Sequence, residues 1–96
     1  MTRDETLSIL RQHKPEIIDR FGVARLAIFG STARDEAEQG SDLDVLVGFT
    51  GKANSRRYFG LQFFLEDLLA CSVDLVTDRA LRPELKPYIE RDLVDV

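Results

Sequence analysis

Ninety-six residues with 13 basic and 17 acidic side chains and a net charge of −4 suffice for one small domain with a modest core, and leave no room for separate template-binding or acceptor-binding domains. The acidic balance argues against a nucleic acid as partner, since affinity for phosphate backbones comes chiefly from Lys and Arg, and fits a basic or neutral protein acceptor better. A single cysteine, Cys71, excludes an intramolecular disulfide, and neither a signal-peptide core after the charged Met1-Thr2-Arg3-Asp4-Glu5 nor a membrane-spanning apolar run is present, so a cytoplasmic chain is expected.

Thr2-Arg3-Asp4-Glu5 has the spacing of a capping box and opens a helix. Leu7, Leu10, Ile17 (or Ile18) and Phe21 recur along it at helical period, Pro15 is expected to kink or split it, and Gly22 is its stop. His13 lies in a polar stretch and reads as a surface residue. Arg25 to Phe29 is an apolar strand that runs into Gly30-Ser31-Thr32-Ala33-Arg34, a strand-to-helix turn. There Gly30 permits close backbone approach, Ser31 is positioned to cap the short helix, and the amides at the helix start form an anion site. The hydroxyls of Ser31 and Thr32 and the guanidinium of Arg34 would add to it. A polar loop from Glu36 to Gly40 leads to the strand Ser41-Asp42-Leu43-Asp44-Val45-Leu46-Val47.

Gly48 to Ser55 reads as a loop, followed by a helix near Arg57 to Cys71. Arg56 and Arg57, the adjacent basic pair before that helix, read as solvated. Leu61, Phe64, Leu65, Leu68 and Leu69 define the helix face toward the sheet, while Phe59, Phe63 and Ala70 fall opposite. Two phenylalanines there predict a partner or self-association surface, unless they tuck under the Gly48 to Ser55 loop or the C-terminal helix. Val73-Asp74-Leu75-Val76 is a further strand, and a last helix spans about Pro83 to Asp92, with Leu85, Ile89 and Leu93 on one stripe. No repeat or linker divides the chain, so residues 1–96 are expected to form a single domain.

Chemistry concentrates in the carboxylates. Side chains two apart on a strand share a face and lie roughly 7 Å apart at Cα, so Asp42 and Asp44 face one way and Leu43, Val45 and Val47 the other. Two like charges about 4 Å apart cost on the order of 4 kcal/mol at an effective dielectric near 20, a cost that a divalent cation removes. Asp74, set among apolar strand residues, needs a partner for the same reason. The three together read as ligands of a two-metal phosphoryl-transfer site, with Mg²⁺ as the hard-oxygen cation.

The order of Phe29-Gly30-Ser31-Thr32-Ala33-Arg34, Ser41-Asp42-Leu43-Asp44-Val45-Leu46-Val47 and Val73-Asp74-Leu75-Val76 resembles the nucleotidyltransferase superfamily of the DNA polymerase β type. Within it the whole chain is similar to the minimal nucleotidyltransferases, antitoxins paired with HEPN-domain toxins. One departure is Asp35, which stands where a glycine commonly follows the arginine of the turn. The resemblance implies an α/β (α+β) palm-like fold, a small mixed sheet flanked by helices. It implies that Gly30 and Ser31, helped by Thr32 and Arg34, hold the triphosphate of ATP, that Asp42 and Asp44 bind two Mg²⁺ ions, and that Asp74 completes the second metal site and accepts the proton of the attacking hydroxyl. The implied reaction is transfer of AMP to a tyrosine of the HEPN toxin. The alternative is a non-enzymatic antitoxin that neutralises its partner by binding.

Overall fold

The computed structural model describes residues 1–38 and 40–96; Gln39, inside the expected Glu36 to Gly40 loop, lies outside the described residues. Helix α1 runs from Arg3 to Phe21, and its start is the anticipated capping box. The Thr2 hydroxyl oxygen accepts from the Glu5 amide at 3.1 Å, and the Thr2 amide donates to Glu5 Oε1 at 3.3 Å, so two otherwise orphan donors are satisfied reciprocally. Gly22 ends the helix at φ +65, where its amide bonds the Ile18 carbonyl. Pro15 does not split α1, which is one uninterrupted helix through that position. Proline removes a single amide donor, and tertiary packing of Leu7, Leu10 and Ile17, all buried, holds the remainder. Ile18, the other candidate for the stripe, is exposed.

Strand β1 spans Val23–Phe29, α2 Gly30–Ala33, β2 Leu43–Phe49, α3 Ser55–Leu69 and β3 Val73–Thr77. A 3-10 turn at Asp78–Ala80, α4 at Lys86–Asp92 and β4 at Val94–Asp95 complete the chain. The sheet has the order β3-β2-β1-β4, with β2 and β3 parallel and the other pairs antiparallel. It is therefore the mixed sheet flanked by helices that was expected. Leu26, Ile28, Leu43, Val45, Val47, Val73 and Leu75 point to one face and form the core with Leu61, Leu65 and Leu69 of α3 and the buried residues of α1. On the other face the register partners Ala27 and Leu46 are buried, and Leu81 and Ile89 line a pocket with Leu46.

The C-terminal part departs from expectation. α4 starts at Lys86 rather than near Pro83, and Leu85 is 49% exposed instead of lying on a buried stripe with Ile89 and Leu93. The strand β4, two residues long, carried too little periodicity to be anticipated; it extends the sheet beyond β1 through Ala27↔Asp95 and Ile28↔Val94.

Arg57 is the second correction. The residue expected to be solvated packs over the Phe49 ring, 4.9 Å from its centroid, and donates to four backbone carbonyls: Phe21 (2.9 Å), Gly22 (2.6 Å), Thr50 (2.9 Å) and Lys52 (3.0 Å). Its rigid fork thus ties the end of α1 to the exit of β2, where carbonyls have no partner in their own element. Arg56 alone remains exposed. Replacing Arg57 with Ala is expected to cost about 2 kcal/mol and lower Tm by roughly 10 °C, measured by thermal melting, with Arg57→Lys recovering only part of the loss because an ammonium cannot span all four acceptors.

Candidate active site

The turn at Gly30 is built around a steric constraint. Gly30 lies at φ +72, and a Cβ placed on it would come 2.2 Å from Asp44 Oδ2. Only glycine lets the backbone leave β1 in this direction while Asp44 occupies the adjacent space. Phe29, the residue before it, is the register partner of Asp44 on β2. Ser31 lies inside α2 rather than capping it; Phe29 occupies the cap position and no side chain bonds there, so the expected Ser31 cap is not formed. Thr32 is buried, and with Thr6, Ser41, Leu43 and Cys71 it lines a cavity of about 220 Å³. Asp35, the departure from the usual glycine, adopts φ +60, a left-handed conformation that aspartate tolerates better than most residues, and its Oδ1 accepts from the Arg3 amide at 3.0 Å.

Asp44 and Asp74 are brought together by the parallel pairing of β2 and β3, in which they are direct register partners. Neighbouring strands lie about 4.8 Å apart, so the two carboxylates share one face of the sheet at close range. Asp44 is half-buried and Asp74 exposed. Asp42 does not lie on the strand as expected: β2 begins at Leu43, leaving Asp42 one residue ahead of the ladder and solvent-exposed. Among the described residues no three acidic, His or Cys side chains are gathered tightly enough to grip a single cation. Of the anticipated trio, Asp44 and Asp74 are paired across the strands, while Asp42 precedes the ladder by one residue and still acts on Asp44 through its charge.

The electrostatics record that crowding. Burial pushes the Asp44 carboxyl above the usual aspartate range; the charges of Asp74 and Asp42 raise it further, as does a proton shared with Asp74, while Arg34 opposes the shift. The donor set is all hard oxygen, the charge is uncompensated by any nearby ion pair to Asp44, and the glycine opens space beside Asp44 Oδ2, so the residues present fit a divalent cation. Arg34 closes α2 and is engaged away from that space, its Nη1 donating to Asp92 of α4 at 2.7 Å and its Nε to Glu36 at 3.1 Å. The pair with Glu36 is exposed and weak, while Asp92 is half-buried and makes the shorter contact.

Other singled-out residues fall outside this arrangement. His13 sits on α1 beside Glu16, at 3.6 Å. Cys71 follows α3, its thiol pushed up by burial first and then by the charges of Glu66 and Asp42. Tyr58, which sequence reasoning passed over, lies near the site: its hydroxyl donates to the Leu75 carbonyl, and burial followed by the charge of Asp74 raises its pKa. The helical stripe of α3 did not single it out, because the carbonyl it meets belongs to a strand whose distance along the chain hides the contact.

A raised carboxylate pKa contributes stability that is present below the unfolded aspartate value and lost as pH rises through the folded one. Without added divalent cation, Asp44→Asn is therefore expected to raise Tm by a few degrees at neutral pH, the gain shrinking as pH falls through the acidic range; thermal melts of both forms across pH check this. Gly30→Ala is expected to lower Tm at every pH, because the left-handed backbone and the Asp44 contact remain whatever the charge.

Comparison with known proteins agrees with this geometry. A nucleotidyltransferase domain family model matches residues 10–96. The protein adenylyltransferase MntA of Thermococcus cleftensis is 38% identical over 96 residues, covering 100% of this chain and 97% of its own. The solved structure of a provisionally assigned minimal nucleotidyltransferase superposes with a TM-score of 0.84 at 36% identity, covering 100% of this chain and 97% of the other. A complex of a tri-AMPylated Shewanella oneidensis HEPN toxin with its MNT antitoxin contains a chain that matches at a TM-score of 0.60 and 19% identity, over 97% of this chain and 66% of that one, a likeness of fold. With the family match spanning almost the whole chain and the aspartate pair in place beside the Gly30 turn, this chain belongs to the nucleotidyltransferase domain family and is an enzyme of that class, built on the minimal nucleotidyltransferase fold.

Proposed function

We propose that the chain is a protein adenylyltransferase that transfers AMP from ATP to a tyrosine of a HEPN-domain toxin and thereby acts as the antitoxin. The observation that carries this reading is the cross-strand register of Asp44 and Asp74 beside the glycine turn. The name of the Thermococcus relative and the nature of the Shewanella complex support the reaction and the partner.

In this reading the amides of Gly30 and Ser31 hold the triphosphate, since the first turn of a helix leaves its N–H groups without acceptors of their own. Arg34, once released from Asp92 and Glu36, adds a fixed positive charge, and Thr32 serves mainly by packing the turn. Asp42, Asp44 and Asp74 are the residues that would hold two Mg²⁺ ions, drawing Asp42 in toward the pair. Bound Mg²⁺ supplies neutralisation of the phosphate oxygens on which charge develops. Asp74, exposed on β3 beside Asp44, accepts the proton of the incoming hydroxyl while the hydroxyl oxygen bonds to the α-phosphorus. The bond from the α-phosphorus to the bridging oxygen breaks, and pyrophosphate leaves with the electron pair.

The acceptor in this proposal is a residue of the HEPN toxin, so the domain needs a surface that meets it. Phe59 and Phe63 of α3 are 50% and 61% exposed and stack on one another with centroids 6.4 Å apart, so they tuck under neither the loop after β2 nor the C-terminal helix. This pair is the docking face in the proposal, with the HEPN partner as occupant.

Incubation with α-labelled ATP, Mg²⁺ and a HEPN-domain toxin is expected to label the toxin, and the Asp42→Asn, Asp44→Asn double variant to leave it unlabelled. Equal neutralisation of the toxin by both forms, with no label, would establish the purely binding antitoxin instead. Phe63→Glu is expected to weaken the complex at least tenfold, read by titration calorimetry, with an unchanged circular dichroism spectrum; unchanged association removes the docking face, and light scattering of the chain alone shows whether the same pair joins two copies.

A further inference from the structure

β3 is an edge strand, bordered by β2 on one side and, among the described residues, by no strand on the other. Such an edge leaves alternate backbone N–H and C=O groups without ladder partners and free to slip or to pair with a foreign strand. Here the free edge is closed by side chains of α3. The Gln62 side-chain amide donates to the Val73 carbonyl at 3.1 Å, Glu66 Oε2 accepts from the Val73 amide at 3.0 Å, and the Tyr58 hydroxyl donates to the Leu75 carbonyl. The three residues are spaced four apart, so they form one stripe along α3, and earlier helix positions meet later strand positions. The peptide groups they hold bracket Asp74: Gln62 grips the carbonyl of the peptide that joins Val73 to Asp74, Glu66 the amide before it, and Tyr58 the carbonyl after Leu75.

From this we infer that Tyr58, Gln62 and Glu66 are positioning residues that hold Asp74 in register with Asp44 for cation binding. The inference rests on the reading of Asp44 and Asp74 as metal ligands. On the inner side β3 is held by β2 alone, and the Asp74 carboxylate is exposed, so repulsion from Asp44 would otherwise turn or shift it. With both peptides of Val73 and the Leu75 carbonyl gripped from the outer side, a shift of the strand away from Asp44 would break these bonds, and the pair stays poised for a cation. The three bonds are to backbone rather than to the Asp74 side chain, so they leave its oxygens free for ligation. Groups bonded directly to metal ligands typically affect metal affinity by 10- to 100-fold, and the lower end of that range sets the scale expected of a grip on the ligand's strand.

The test uses the intact chain and Mn²⁺ alone as the probe, with affinity read from the electron paramagnetic resonance signal of the free ion. Wild type is expected to bind Mn²⁺, and Asp44→Asn and Asp74→Asn to lose that binding. Tyr58→Phe combined with Gln62→Leu is expected to weaken it about tenfold or more, and Glu66→Leu to weaken it measurably. Glu66→Gln keeps an oxygen that accepts from the Val73 amide while removing the charge, and is expected to restore wild-type affinity. Ile17→Val, a core trim on α1, serves as the control for general loss of stability and is expected to leave Mn²⁺ affinity unaltered. If Asp44 and Asp74 variants abolish binding while the Tyr58, Gln62 variant binds like wild type, the positioning role is overturned and the metal reading stands. If Glu66→Gln weakens binding as much as Glu66→Leu, the acidic charge and not the backbone grip is responsible, which also overturns it. If wild type binds no Mn²⁺ in a carboxylate-dependent way, the metal reading falls and the inference with it.

Discussion

Two carboxylates held side by side across a parallel strand pair set the terms for the rest of this small domain. Asp44 and Asp74 are register partners of β2 and β3, and their repulsion is not relieved by any ion pair to Asp44. A fold that keeps them there must spend stability from elsewhere, and the surrounding structure is arranged accordingly. Behind the pair, Val45 and Leu75 are buried in the apolar core under α1 and α3. Beside it, Gly30 supplies the one backbone that can pass Asp44 at close range. In the proposed reading a divalent cation would relieve the same repulsion, so the stability cost and the chemistry would have one origin.

The elements outside the site act mainly to keep the sheet from yielding. Arg57 gathers four carbonyls from the end of α1 and the exit of β2, which anchors the far end of the strand that carries Asp44. The stripe of Tyr58, Gln62 and Glu66 closes the edge of the strand that carries Asp74. Both devices belong to α3, whose inner face is also a principal contributor to the core. Its outer face carries Phe59 and Phe63, and the Tyr58 and Phe59 rings meet edge to face at 5.2 Å. One helix therefore borders the core, the edge strand and the exposed aromatic pair, so that pair and the aspartates share a support.

Arg34 shows how a charged residue near such a site can be held in reserve. Its pairs with Asp92 and Glu36 keep the guanidinium off the carboxylates, yet its field still reaches Asp44. In the proposed reading these pairs, with the guanidinium itself at the surface, are exchanged for a phosphate. Asp35, left-handed and bonded to the Arg3 amide, ties the same turn to the start of α1.

Much of the fold was legible in the residues because local rules govern it. The capping box at Thr2 and Glu5, the stop at Gly22, the buried stripe of Leu61, Leu65 and Leu69, and the apolar strands around Asp44 and Asp74 follow from short-range hydrogen bonding and periodic burial, which act within a few residues. Order along the chain likewise singled out the glycine turn and the aspartates as the candidate chemical centre. Tertiary structure alone decided the rest: that Asp44 and Asp74 are direct partners while Asp42 stands ahead of its strand, that Arg57 is a staple rather than a solvated charge, that Leu85 faces water, and that β4 joins the sheet at β1. The aspartate pairing, the Arg57 staple and the β4 pairing depend on contacts between segments far apart in sequence, whose energy arises only when the chain has closed around them, and no local pattern carries that information.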